Sequence, residues 1–358
     1  MVKISEIPHK FFKEGKFQSK LSEDIVQCET CEHQCKIKKN ETGFCGTRIN
    51  FNNRIYSLVY GAIPAISVNP IEKKPLFHFY PGTKAITMGT YGCNFDCFWC
   101  QNHHLSHPKT PIYKKVKKKR GLYVSPEKII EIAIKNNCQG TSISFNEPTL
   151  LFEYALDIFS LAKENDLYNT YVSNGYMTKK VLKKLAKYGL DAINIDIKGG
   201  KEMVKKYCKA DVEKVWRNAQ LAIDLGIHTE ITVLIIEGYN SNKKTIKNIA
   251  NQIKKDLGSE IVLHLNRFFP HYKAHEYNLE NPTNLEVMKR SYETAKNTGL
   301  EYVYMGNMPS NKYQYTICPN CATIIVRRDF QKVKISGLNE KGECKECGKF
   351  IFDKIEIN

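Results

Sequence analysis

The chain has 358 residues, of which 42% are hydrophobic, enough for one large globular domain with appendages. No run approaches the roughly 20 apolar residues of a membrane-spanning helix, and residues 1–20 lack the apolar stretch of a signal peptide, so we expect a cytoplasmic protein. The net charge of +17 invites a nucleic-acid partner, but most basic residues are Lys, whereas Arg is the residue suited to planar phosphate and base recognition.

The cysteines of the chain fall into groups with the spacings of metal ligands. Because no segment directs the chain to an oxidising compartment, such groups indicate metal sites rather than disulfides. The groups are, in chain order, Cys28, Cys31, Cys35 and Cys45; Cys93, Cys97 and Cys100; and Cys318, Cys321, Cys344 and Cys347, with Cys138 and Cys208 left over.

Residues 1–80 are predicted to form an N-terminal unit, a cysteine-rich metal knuckle followed by a hairpin. The first group of cysteines suits one metal centre, either a structural zinc or an auxiliary iron–sulfur cluster. Alternating apolar and polar residues, broken by Gly61 and Pro64, predict the hairpin over residues 51–80. A proline-bracketed loop over residues 70–78 leads into the main domain.

Residues 81–312 are predicted to form an α/β domain, because strand and helix patterns alternate along them. Ser125 and Pro126 mark one helix start, an N-cap followed by a proline at the first helical position. The predicted strands are 85–88, 141–145, 169–172, 192–197, 230–236, 261–265 and 302–305, and the other predicted helices are 149–164, 178–187, 213–225, 244–257 and 285–297. Six or seven βα units suit a parallel sheet curved into an open or partial barrel, where chemistry gathers at the carboxyl ends of the strands.

The loop after the first of these strands contains the second group of cysteines, at spacing C-x3-C-x2-C, with Trp99 before the third. Three thiolates packed this tightly can bind three irons of a [4Fe–4S] cube and leave the fourth iron open to a substrate. The alternative is a structural zinc whose fourth ligand lies elsewhere in the chain.

Polar residues follow several later strands at the point where each is predicted to end. Any one such motif has a simple interpretation as a turn or a helix cap. Their recurrence at successive strand ends, after a three-cysteine loop, favours an active site. The residues are Ser144, Asn146 and Glu147; Ser173, Asn174 and Gly175; Asp196 and Lys198; and His264 and Arg267.

Residues 313–358 are predicted to form a zinc-ribbon-like module. The third group of cysteines consists of two C-x2-C knuckles separated by β-rich sequence at 323–326 and 332–335. A structural zinc would fold a piece that is too small to fold alone, and a rubredoxin-like iron centre is the alternative.

A basic run over residues 114–120 follows the three-cysteine loop. Such a run is typical of a solvated surface, but its place near the predicted site also allows an RNA-binding role. If it binds RNA, neutralising residues 117–120 should weaken a salt-dependent interaction.

The three-cysteine loop with its aromatic residue resembles the cluster loop of the radical S-adenosylmethionine (radical SAM) superfamily. Nearly the whole chain is similar to the branch called AmmeMemoRadiSam system enzymes, relatives of pyruvate formate-lyase activating enzymes. The likeness includes Gly43-Phe44-Cys45-Gly46, the loop at 70–78, residues 92–102 and the C-terminal ribbon. It implies a partial (β/α)6-type radical SAM barrel, and Memo-type and AMMECR-type proteins as partners.

The resemblance also assigns roles to individual residues. Cys93, Cys97 and Cys100 would bind a [4Fe–4S] cluster, and SAM would complete the coordination of the open iron. The residues matching SAM-binding motifs are Asn146, Glu147, Ser173, Asn174, Asp196 and Lys198. Trp99 would pack near the adenine or serve as an ordinary core aromatic. The activases have Asp immediately before their Thr-Asn-Gly motif, where this chain has Val172, so a cation site beside SAM is not implied.

The function that follows is reductive cleavage of SAM. An external donor would supply one electron, and the resulting 5′-deoxyadenosyl radical would abstract hydrogen from a substrate. The alternatives are a glycyl-radical-enzyme activase acting on a partner protein, an RNA-modifying radical enzyme, and a non-enzymatic iron–sulfur or zinc protein that carries electrons or serves as an adaptor.

Overall fold

The computed structural model describes residues 7–118, 123–329 and 332–352. Its N-terminal part contains two small antiparallel sheets, with strand orders β1-β6-β5 and β2-β3-β4. These strands are β1 (Lys13–Glu14), β2 (Gln18–Lys20), β3 (Ile25–Cys28), β4 (Lys36–Lys38), β5 (Arg48–Phe51) and β6 (Arg54–Ser57).

The hairpin lies earlier in the chain than the sequence pattern predicted. It joins β5 to β6 through Asn52 and Asn53, whose φ values of 49° and 58° are those of a two-residue turn with both central residues left-handed. The prediction of a hairpin over residues 51–80 was therefore wrong in its position, because two asparagines supplied the turn before the glycine and proline that we used as breaks.

The main sheet has eight strands, in the order β14-β13-β12-β11-β10-β9-β8-β7. The strands are β7 (Ala65–Pro70), β8 (Lys84–Gly89), β9 (Gly140–Ile143), β10 (Tyr168–Ser173), β11 (Ala192–Asp196), β12 (His228–Ile235), β13 (Leu263–Arg267) and β14 (Val303–Gly306). β8 to β14 are parallel and lie side by side in chain order, which confirms the α/β fold with a central parallel sheet. β7 pairs antiparallel with β8, so the main sheet begins within the segment that we assigned to the N-terminal unit.

The helices that connect the parallel strands begin and end at sequence signals. Ser125 caps α3 by accepting a hydrogen bond from the Lys128 amide, and Thr178 caps α5 in the same way. α5 ends at Gly189 in the left-handed conformation, where glycine carries no steric cost. The described α-helices are α1 (His103–Ser106), α2 (Ile112–Lys118), α3 (Pro126–Lys135), α4 (Phe152–Lys163), α5 (Lys179–Tyr188), α6 (Lys201–Met203), α7 (Val212–Asp224), α8 (Lys243–Gln252) and α9 (Leu285–Lys296). None of these is both long and apolar enough to cross a membrane.

The segment between β7 and β8 closes the floor of the barrel, the end where the parallel strands begin. Glu230, buried at the start of β12, accepts hydrogen bonds from the amides of Phe77 and His78 at 2.9 and 2.8 Å. His228 and His264 approach the same carboxylate at 2.9 and 2.6 Å. Burial alone would raise the pKa of Glu230, but the two histidines hold it well below its usual value. The buried carboxylate of Glu230 therefore holds the floor loop against β12 and β13.

The C-terminal module packs beneath this floor. Its three strands are β15 (Thr316–Ile317), β16 (Ile324–Asp329) and β17 (Lys332–Ile335), with β16 in the centre. The guanidinium of buried Arg328 donates to the Phe77 carbonyl at 2.6 Å and to the Thr316 hydroxyl at 2.8 Å. Phe77 and Tyr304 also share a hydrophobic cluster with Val326, so the module and the barrel floor form one core.

Candidate active site at the carboxyl ends of the strands

The three-cysteine loop leaves β8 and lines a cavity of about 840 Å³ that opens to solvent. Cys93, Cys97 and Cys100 all lie in its wall. Burial raises the pKa values of Cys93 and Cys100. For Cys97 the first cause is a hydrogen bond to the thiol of Cys208, with the sulfur atoms 3.4 Å apart, followed by burial. Three soft ligands that line one cavity fit an iron–sulfur cluster.

Asn146 connects the end of β9 to the start of this loop. Its side-chain oxygen accepts from the Thr90 amide at 3.0 Å, and its side-chain nitrogen donates to the Gly92 carbonyl at 2.7 Å. The amide group that was predicted to contact SAM is therefore used to hold the loop backbone, and contact with SAM stays a prediction.

Glu147 is fully buried and is pinned by the neighbouring strand end. Its carboxylate accepts from the Thr149 amide at 3.0 Å, from the Ser173 hydroxyl at 2.9 Å and from the Asn174 amide at 2.9 Å. Burial raises the pKa of Glu147 despite these donors, and its charge in turn raises the pKa of Cys93. The structure thus brings together three predicted residues from two strands, beside the first thiol of the loop.

Asn174 continues this network into the N-terminal unit. Its side chain donates to the side-chain oxygen of Asn94 at 2.7 Å, and His33 donates to the Asn94 backbone carbonyl at 2.7 Å. Sequence reasoning missed His33, because it lies between two cysteines of another motif and its partner is a backbone atom.

Asp196 and Lys198 form an ion pair at the end of β11, on the wall of the same cavity. Burial alone would lower the pKa of Lys198, but Asp196 and Cys97 outweigh it and leave that pKa raised. Trp99 also lines the cavity and packs edge-on against Phe98, with ring centroids 4.7 Å apart.

The structure separates the two residues considered at the end of β13. His264 lies in the floor, hydrogen-bonded to Glu230, whereas Arg267 lines the cavity together with His271. Lys74, from the loop between β7 and β8, also reaches the cavity. Sequence reasoning missed Lys74 because its loop enters from the opposite end of the barrel, and only the topology reveals that.

The first group of cysteines lines a second, much smaller cavity of about 10 Å³ at the rim of the barrel, together with Arg48. The guanidinium of Arg48 is buried and forms an ion pair with Glu153 at 2.7 Å. The charge of Arg48 lowers the pKa of Cys28, although burial raises it more strongly. A guanidinium beside four thiols is a favourable counter-charge for a tetrathiolate metal centre.

The third group of cysteines is assembled more tightly. The four sulfur atoms of Cys318, Cys321, Cys344 and Cys347 all lie within 4.8 Å of one another. Two of the separations are 3.5 Å, for Cys318 and Cys347, and 3.6 Å, for Cys321 and Cys344. A tetrahedral zinc with bonds of about 2.3 Å places its sulfur ligands about 3.8 Å apart, so this group fits one metal ion.

The basic run is only partly within the described residues. Lys115 lies over the ring of Tyr91, with its nitrogen 5.1 Å from the centroid, and Lys114 lies 6.0 Å from that of Tyr113. Lys119 and Arg120 fall outside the described residues, so the prediction of an RNA-binding patch is not tested.

The chain is similar to several known proteins. A sequence profile of the Radical SAM superfamily matches residues 88–253. The chain is 40% identical over 348 residues to an uncharacterized protein of Methanocaldococcus jannaschii, which covers 96% of this chain and 99% of that protein. A candidate glycyl-radical enzyme activating enzyme of the same organism is 32% identical over 113 residues, or 32% of this chain and 39% of that protein. A solved domain of pyruvate-formate lyase-activating enzyme from Bacteroides vulgatus has a TM-score of 0.40 at 18% identity, covering 47% of this chain and 99% of that domain.

Proposed function

The chain belongs to the radical SAM superfamily, and on that premise we propose that it cleaves SAM reductively at a [4Fe–4S] cluster bound by Cys93, Cys97 and Cys100. When bound, the cluster supplies one electron to SAM, which yields methionine and a 5′-deoxyadenosyl radical that abstracts hydrogen from a substrate. The electron comes from an external donor.

The observation that carries this proposal is the convergence of three thiols and a pinned carboxylate on one cavity. Glu147 is oriented by donors from the end of β10 and from Thr149 in its own turn, so its carboxylate is held in place before any ligand arrives. A preorganised carboxylate suits the ammonium group of SAM, because a charge-assisted hydrogen bond forms without further ordering. Asp196 and Lys198 place one charge of each sign on the same wall for the remaining polar groups of SAM.

Other residues of the chain position this machinery. Asn146 and Asn174 fix the backbone of the thiol loop at Gly92 and the side chain of Asn94, respectively. Trp99 and Phe98 cover the loop with aromatic surface, which limits the access of water to the cluster.

The test is anaerobic reconstitution with iron and sulfide, followed by a strong reductant and SAM, with 5′-deoxyadenosine as the readout. The wild type should form 5′-deoxyadenosine, and Cys97→Ala should not. Cys138→Ala is the matched control, because Cys138 is a buried thiol outside all three groups. A wild type that binds no cluster, or that forms one and leaves SAM intact in the presence of every candidate substrate, would contradict the proposal.

We also propose that the chain belongs to the AmmeMemoRadiSam branch and acts with Memo-type or AMMECR-type proteins. The N-terminal knuckle, the loop at 70–78 and the C-terminal ribbon support this assignment by resemblance. The test is co-expression with each partner type, where a stable complex or stimulated formation of 5′-deoxyadenosine is expected and the absence of both would contradict it.

A further inference from the structure

The floor loop between β7 and β8 places Lys73 and Lys74 in the wall of the large cavity, and of these two Lys74 is the buried one. Lys74 is only 5% exposed, yet it lies in the wall of the large cavity. The backbone of the next residue is fixed, because Asn194 in β11 donates to the Pro75 carbonyl at 2.7 Å. Lys74 therefore stands on a rigid support at the inner end of the cavity, below the strand ends that carry the predicted SAM residues.

No carboxylate among the described residues forms an ion pair with Lys74. Its nitrogen instead lies over the ring of Phe145, 5.4 Å from the centroid. Burial, together with the charge of Lys73, lowers the pKa of Lys74 to about 7. A buried amine with this environment is unusual, because lysines that are enclosed in a protein are nearly always paired.

Further polar atoms in the same cavity have no hydrogen-bond partner within the described part of the chain. The hydroxyl groups of Ser144 and Thr232 are buried and unpartnered, and both can donate. The side-chain oxygen of Asn194 and one carboxylate oxygen of Asp196 are unpartnered acceptors. Buried polar atoms are normally satisfied, so a group of them around one cavity indicates a missing polar ligand.

We propose that Lys74, with the hydroxyls of Ser144 and Thr232 in the same cavity, binds an anionic group of the substrate, a carboxylate or a phosphate. The unpartnered oxygen of Asn194 accepts a hydrogen bond from a hydroxyl or amino group elsewhere on the same molecule, whereas that of Asp196 stays assigned to SAM. The substrate class is therefore a small, polar anion-bearing compound. This proposal rests on the proposed function, since it takes the cavity to be the place where the deoxyadenosyl radical meets its substrate.

An anion at this position has a measurable consequence for Lys74. A nearby negative charge stabilises the ammonium form and raises the pKa of Lys74. A rise of about two units from 7 lowers the reactive amine fraction at pH 8 roughly tenfold. The amine of Lys74 then becomes much less reactive towards acylating reagents.

The experiment is competitive labelling with trace acetic anhydride, read by mass spectrometry at individual lysines, on the full chain without reductant. Separate arms contain inorganic phosphate, succinate, SAM, or chloride at matched ionic strength. We expect phosphate or succinate to slow acetylation of Lys74 roughly tenfold relative to chloride, and the more effective anion identifies the group. Lys84, an exposed lysine at the start of β8, is the internal control and should react equally in all arms.

Several results would overturn the proposal. The first is that neither phosphate nor succinate slows the acetylation of Lys74, and the second is that Lys84 is slowed equally. The third is that SAM alone slows the acetylation of Lys74 fully, which would assign Lys74 to the carboxylate of SAM. In Lys74→Met, which keeps an unbranched side chain and removes the charge, binding of the effective anion by calorimetry should fall at least about tenfold, whereas Lys84→Met should bind normally. Because no reductant or electron transfer is involved, failure here leaves the test of SAM cleavage unaffected, and failure of SAM cleavage leaves this result standing.

Discussion

Two regions of the molecule contain four cysteines each, yet they lie at opposite ends of the barrel. The C-terminal thiols are within 4.8 Å of one another and sit in a module that packs beneath the floor. The N-terminal thiols line a cavity at the rim, in the unit that contacts the three-cysteine loop. The two groups of four thiols are therefore alike, but they lie in different surroundings. We expect the surroundings to decide whether loss of a group affects the stability of the protein or its chemistry.

The contacts of each region show what it controls. In the C-terminal module, Arg328 connects β16 to the floor at the Phe77 carbonyl, at the end of the barrel opposite the three-cysteine loop. At the rim, Gly92 lies so close to the N-terminal unit that a Cβ there would come within 2.7 Å of the Cys45 carbonyl oxygen. Loss of the C-terminal centre should thus affect stability, and disturbance of the N-terminal unit should affect the chemistry.

The largest effect is expected from Cys344→Ala in the C-terminal group. Loss of one of four thiolates removes the metal, and a module of this size has little else to hold it folded. We expect the bound metal to fall by about one ion per chain and the free energy of unfolding to fall by at least several kcal/mol. Metal analysis and thermal unfolding measure the two effects.

The surviving folded fraction of Cys344→Ala should still form 5′-deoxyadenosine at the wild-type rate per cluster. Its matched control is Cys138→Ala, which should keep its metal content. If Cys344→Ala instead kept normal stability but did not cleave SAM, the C-terminal group would control the chemistry and not the stability.

The floor of the barrel offers a second test, because its contacts depend on the charge of Glu230. The folded-state pKa of Glu230 is lowered, so its ionised form contributes stability that is fully present above the unfolded pKa and is lost as the pH falls through the folded pKa. We expect Glu230→Gln to cost about 3 kcal/mol near pH 7. The difference from wild type should shrink as the pH is lowered below about 4.

Urea unfolding over a pH series measures this difference. Glu286→Gln is the control, since Glu286 is exposed at the start of α9 and, within the described residues, its ion pair is with Lys289 on the same helix. A constant difference at every pH would mean that the shape of the Glu230 side chain, and not its charge, holds the floor.

The parallel sheet could be predicted from the sequence because hydrophobic runs and caps such as Ser125 and Thr178 are local signals. The predicted strands lie within a few residues of β8 to β14. β7 was missed, since its exposure alternates and its pairing partner follows a proline-rich loop, so no local pattern distinguished it from a surface hairpin.

In the candidate site too, residues on neighbouring strand ends could be predicted from the sequence, whereas residues brought in by the overall fold could not. Glu147, Ser173 and Asn174 could be predicted to meet, because parallel strand ends share one edge. Lys74 and Cys208 could not, since each comes from a segment whose position depends on the whole fold. Cys208 in particular was set aside as a leftover thiol, and the structure places its sulfur 3.4 Å from that of Cys97.

The smallest effect is expected from a substitution of His33, which tests the contact between the N-terminal unit and the three-cysteine loop. His33 donates to the Asn94 carbonyl and stacks on Phe44, with ring centroids 4.4 Å apart. His33→Phe keeps the stacking and removes the hydrogen bond, which is worth about 1 kcal/mol. If the N-terminal unit positions the cluster loop, the rate of 5′-deoxyadenosine formation should fall by up to about fivefold, and the EPR spectrum of the reduced cluster should change.

Asn339→Ala gives the matched comparison in the C-terminal module, where the Asn339 side chain accepts from the amides of Lys341 and Glu343. It should lower stability by a similar amount, about 1 kcal/mol, and leave both the rate and the EPR spectrum unchanged. Equal effects of the two variants on the rate would show that the cluster loop responds to general loss of stability. A change confined to His33→Phe would show that the rim unit acts on the loop through this one carbonyl.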